Sequence, residues 1–151
     1  MARKVFTDEE VKRRSVRRAA LVLFELWEED RGAHSRLLEL LLPDSYILVG
    51  TSVNGGGWRE HLVPLAFIRD QCFKLFCEGK GIEEAAQYID QHLKIAHITR
   101  EEREKIDVEL GLRSKMPETW EPGDFLARLK AAGINIVERL DDSMGRTQKH
   151  V

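Results

Sequence analysis

The sequence predicts an α+β fold: one mostly helical domain carrying a small antiparallel sheet or hairpin, flanked by helices. Three observations predict it. Apolar residues recur at three- and four-residue spacing in several long segments, each opened by a capping pattern and closed by glycine or proline. Between them stand only short β-prone runs, Tyr46 to Val63 around a glycine cluster and Leu93 to Ile98. At 151 residues with 42% hydrophobic side chains, the chain has the size of one domain and can bury a core without metal or disulfide staples. Residues 1–140 are assigned to that domain, with a helical part over 7–42 and an α/β part over 45–140. The polar stretch 141–151 reads as a flexible tail.

Thr7-Asp8-Glu9-Glu10 is a capping box that starts the first helix near Thr7. Val16, Ala20, Leu23, Phe24 and Trp27 then mark one apolar face to about Glu29, and Gly32 ends the segment. A shorter helix over Ser35 to Leu42 stops at Pro43-Asp44, and Tyr46-Ile47-Leu48-Val49 reads as a strand. Val53-Asn54-Gly55-Gly56-Gly57-Trp58 reads as the turn of a hairpin whose second strand is Trp58 to Val63. Helices follow over about Leu65 to Glu78 and Ile82 to His92, then the alternating strand Leu93 to Ile98. A second capping box, Thr99-Arg100-Glu101-Glu102, opens a helix to about Leu110, with Gly111 closing it. Asp124 is placed to cap a last helix to Ala132, Gly133 stops it, and Ile134 to Val137 suits a sheet edge.

Charge and cysteine content bound the function. The net charge of −2 gives no global attraction to nucleic acid, but its distribution is uneven. Arg3, Lys4, Lys12, Arg13, Arg14, Arg17 and Arg18 crowd the start of the first helix, and Glu25, Glu28, Glu29 and Asp30 its end. That polarity opposes the helix macrodipole, so helix stability does not explain it. The basic end suits phosphate or an acidic partner, or is simply a solvated face. Cys72 and Cys77, five apart among apolar neighbours, read as reduced core thiols. The longest apolar runs fall far short of the ~20 residues needed to cross a bilayer, and Met1-Ala2-Arg3-Lys4 opens no signal-peptide core. A cytoplasmic protein that does not enter a membrane is expected.

The one chemistry-bearing pattern is Arg59-Glu60-His61-Leu62-Val63-Pro64. It resembles the first motif of HNH endonucleases, the ββα-metal fold, in which an acid and a histidine close a strand. The resemblance implies that His61 is the general base for a water attacking phosphorus and that Glu60 helps hold a divalent ion. It also implies a second half, a strand leading into a helix, which Leu93 to Ile98 and Thr99 to Leu110 supply. There Arg103 stands where such helices commonly carry a histidine, and Glu104 is the carboxylate offered as second ligand. Oxygen ligands suit magnesium or manganese. Arg59 or Arg103 then meets a phosphate, and Arg13, Arg14 and Arg17 extend the contact with nucleic acid or a partner.

Other readings of the same residues stay open. On a strand Glu60 and His61 point to opposite faces, so a core histidine beside an exposed acid needs no catalysis. His92 and His97 have no spacing that makes them ligands with His61. His34 and His150 read as exposed. Trp120, between Pro117 and Pro122, is either a docking anchor or a lid on the core. A second class of function is a non-catalytic interaction protein of phage or mobile-element origin that binds a host nucleic-acid-processing complex. A third is a homodimer joined through Val16, Ala20, Leu23 and Trp27.

Overall fold

Thr7 caps helix α1, Asp8–Glu28, through both bonds of the expected box: its hydroxyl accepts from the Glu10 N–H, and Glu10 accepts from the Thr7 N–H. The structure is a computed structural model that describes residues 2–139; the tail assigned to 141–151 lies outside them. Along α1, Val16, Ala19, Ala20 and Leu23 are buried, and Phe24 and Trp27 pack beside them. Their partners are α4, Leu65–Cys77, and α5, Ile82–His92. Burying each such aliphatic side chain is worth roughly 1.5–3 kcal/mol, so this three-helix contact is the main apolar core.

Between α1 and α4 the backbone is more broken than the sequence suggests. The helix expected over Ser35 to Leu42 contracts to α2, Leu37–Leu40. The strand expected from Tyr46 begins two residues later. Asp44–Ile47 form one helical turn, α3, with the Tyr46 N–H bonded to the Pro43 carbonyl, and this turn buries Ile47. Strand β1 is Leu48–Ser52 and β2 is Trp58–His61.

The expected hairpin does not form. β3, Ile95–Ile98, inserts between the two strands, parallel to β1 and antiparallel to β2. β4, Ile136–Glu138, adds to the other edge of β1, so the sheet is mixed and ordered β2-β3-β1-β4. Glycine makes the crossing possible: a side chain on Gly56 would lie 3.2 Å from the His97 Cβ and 3.4 Å from the Thr51 methyl. Glu102 holds this loop down, accepting from Ser52 at 2.8 Å and from Asn54 at 3.2 Å while also closing the box with Thr99. At the other edge, any Cβ on Gly50 would run into the Val137 carbonyl.

Helices cover both faces of the sheet. Ile95 faces the α1–α4–α5 core, and Ala96 and Ile98 face a second core with Leu112, Leu129 and Ile134. That second core is closed by α6, Arg100–Glu104, whose last turn widens into a π-helix over Lys105–Glu109, and by α7, Ala127–Ala132. α7 starts later than expected, since Asp124 accepts from the Leu126 N–H ahead of the helix. Gly133, at φ +70°, ends it. No helix among the described residues is long and apolar enough to cross a membrane.

Candidate functional site

Because opposite residues of an antiparallel pair share a face, β2 sorts the motif into two environments. Arg59 and His61 lie opposite His97 and Ile95; Glu60 lies opposite Ala96. On the first face His61 Nε2 is 2.7 Å from the Glu39 carboxylate of α2. Arg59 holds Glu39 at 2.9 Å and forks onto Asp44 at 2.8 and 2.7 Å. Burial tends to raise the Glu39 pKa, but the bonds from Arg59 and His61 outweigh it and lower it. Burial lowers the His61 pKa against the opposing pull of Glu39. At neutral pH the ring is therefore uncharged, Nε2–H donates to Glu39, and Nδ1 is left as the acceptor.

On the second face Glu60 is 8% exposed and meets Arg128 of α7, 2% exposed. Arg128 donates to the His61 carbonyl at 2.7 Å and the Arg113 carbonyl at 3.5 Å. Its Nη2 stands 3.6 Å from Glu60 and 3.8 Å from Asp107, ion-pair separations too long for hydrogen bonds. Glu60 Oε2 and Arg128 Nε are buried without a hydrogen-bond partner. Burial, reinforced by Asp107 and opposed by Arg128, pushes the Glu60 carboxyl up to about 7.

The second half of the motif arrives with a different acid. Arg103 stacks on Trp58, 4.2 Å from the ring centroid, and pairs with Asp107 at 3.2 Å. Asp107, four residues on from Arg103, shares its side of the helix. Glu104, turned about 100° away from Arg103, is exposed and joins none of these contacts. The site thus assembles Glu60, Asp107, Arg103 and Arg128 where Glu60 and Glu104 were expected, with His61 on the opposite face.

This donor set does not fit magnesium or manganese. Two carboxylates face two guanidinium groups, and an ion between them would have to drive Arg128 from its carbonyl partners into like-charge repulsion. Among the described residues no group of three His, Cys, Asp or Glu side chains is placed to hold a metal. Sequence spacing carried no sign of Glu39, Asp107 or Arg128. Only the neighbouring basic and acidic residues hinted that β2 would need counter-charges.

The α1 arginines are elsewhere. Arg13, Arg14, Arg17 and Arg18 are all exposed. Arg17 pairs with Glu83 at 2.7 Å and Lys12 with Asp90 at 3.8 Å across the α1–α5 groove. Arg14 and Lys4 flank the Phe6 ring at 4.3 and 5.1 Å. Val16, Ala20 and Leu23, offered as a dimer contact, are spent in the chain's own core. His34 is exposed and His150 lies outside the described residues. Trp120 lids the core, edge-on to Phe67. Cys72 is buried, its thiol pushed up to about 12 by burial, whereas Cys77, expected beside it in the core, is exposed because the last turn of α4 presents it outward. Comparison with protein-family models, characterised proteins and solved structures yields no match for the chain.

Proposed function

We propose that this chain is a catalytically degenerate, nucleic-acid-associated relative of HNH-like nucleases: a binding module that does not cleave. The observation that supports it is Arg128, whose guanidinium lies against both Glu60 and Asp107, the acids a divalent ion would need. The same cation ties the end of β2 to the Arg113 loop, so it is a structural fixture that an incoming ion does not readily displace. Nucleic acid is met by the outer side of α1, where Arg13, Arg14 and Arg18 are exposed near Phe6. Such contacts are sequence-independent and salt-dependent.

The test pairs a nicking assay on supercoiled plasmid with fluorescence anisotropy on a short duplex at rising salt. The expected result is no cleavage with magnesium or manganese, and duplex binding that Arg13→Gln, Arg14→Gln and Arg18→Gln together weaken. The salt slope should fall by roughly 0.9 for each phosphate that is no longer neutralised. Metal-dependent nicking that His61→Ala abolishes would overturn the reading, as would a salt slope unchanged by the triple substitution. A second reading, a protein partner, draws on the Arg17–Glu83 and Lys12–Asp90 pairs, which give the α1–α5 groove both signs of charge.

A further inference from the structure

At the end of β2 lies a cleft of about 410 Å³ that the metal site would not have used and the α1 arginines do not reach into. Its walls are the start of α4, at Leu65 and Ala66, and the loop carrying Arg113 and Ser114, with Ser35 beside them and Glu60 and Arg128 at its base. We propose that this cleft binds the phosphate group of a phosphorylated ligand.

Four features converge on an oxyanion. First, α4 begins at Leu65 with no side chain capping it, whereas α1 and α6 each open on a capping box. The amides of Leu65, Ala66 and Phe67 precede the first intrahelical bond, Ile68 N–H to Pro64 carbonyl. They are free donors at the positive end of a 13-residue helix. Second, Arg128 is a cation already stripped of water and locked in place by the His61 carbonyl, and its Nε has no partner. Third, the exposed Arg113 side chain forms no ion pair among the described residues, and a guanidinium matches two phosphate oxygens at once. Fourth, the Ser35 and Ser114 hydroxyls add neutral donors. Glu60 is the one acid here. Burial holds much of it protonated at neutral pH, a state that donates to an oxyanion instead of repelling it. None of the α1 arginines takes part, so phosphate binding in this cleft stands or falls apart from the duplex binding inferred above.

The experiment titrates ¹⁵N-labelled full-length protein with inorganic phosphate, then with a short single-stranded oligonucleotide with and without a 5′-phosphate. Phosphate should shift the Ala66, Phe67 and Ser114 amides together and saturably. Arg113→Gln should weaken that affinity about tenfold, because it removes a charge-assisted pair at an exposed position that does not threaten folding. Lys80→Gln, an exposed cation outside the cleft, should leave it unchanged. Tighter binding of the 5′-phosphorylated strand would assign a terminal phosphomonoester, and equal binding of both strands at the same amides a backbone diester. No saturable shift at these amides, or equal losses in the Arg113 and Lys80 variants, would overturn the proposal whether or not α1 binds duplex.

Discussion

His92 and Glu60 are equally withdrawn from water, 0% and 8% exposed, yet only one of them is complete. His92 donates from Nδ1 to the Tyr88 carbonyl at 2.8 Å and accepts at Nε2 from the Gly123 N–H at 3.0 Å. Its ring packs between Tyr88 and Trp120. Gly123, at φ +99°, brings its amide this close because any Cβ would strike the Gln91 amide at 2.7 Å. Every polar atom of the imidazole is thus used, pinning the loop around Trp120 to the helical core. Around Glu60, three buried polar atoms go without hydrogen bonds: its own Oε2, Arg103 Nε and Arg128 Nε. Burial alone does not separate a structural polar residue from one available for function; the completeness of its partners does.

The largest expected break in this contrast comes from Arg128→Met. It strands Glu60 and Asp107 without their shared cation, which typically costs about 3–5 kcal/mol for a buried pair. The loss should be largest in urea denaturation at pH 8, where Glu60 is ionised, and smaller at pH 5.5, where it takes up a proton. A loss under about 1 kcal/mol at pH 8 would mean the cluster is not energetically coupled.

Next in size is an opposite pH signature of the two residues. The Glu60 carboxyl is raised to about 7 by burial, so between its unfolded value of 4.5 and 7 the native state binds the extra proton. Its contribution to stability is present below 4.5 and lost as pH rises through 7, by at most roughly 3 kcal/mol. His92 is lowered from 6.5 by burial, so the unfolded state binds the extra proton, and its contribution is lost as pH falls below 6.5. Subtracting the Glu60→Gln stability curve from wild type should reveal a decline with rising pH. Subtracting that of His92→Gln should reveal a rise. Two differences of the same sign would refute the assignment.

The smallest effect belongs to Arg103→Gln. It removes a cation over Trp58 and an ion pair with Asp107 at a partly exposed site, together worth about 1 kcal/mol. Chemical denaturation should register that loss with the transition otherwise unchanged in steepness.

Local signals in the sequence were sufficient for most of the helices. The boxes at Thr7 and Thr99 involve residues three apart, and the apolar stripe of α1 repeats within one turn, so short-range sterics and hydrogen bonding decide them. Gly133 stops α7 for the same reason, since its φ of +70° is open to glycine at little cost. The strand order was not decided locally. Asn54-Gly55 is a hairpin signal, yet the α4–α5 excursion returns β3 between β1 and β2, where its apolar residues reach both cores. The site followed the same division. The alternation of Glu60 and His61 across the strand was readable, because side-chain period on a strand is local. Their partners were not: Glu39 stands 22 residues from His61 and Arg128 stands 67 away. A buried charge finds its counter-charge only when packing has set which surfaces meet. That is why the tertiary structure alone replaced an expected metal ion with a guanidinium.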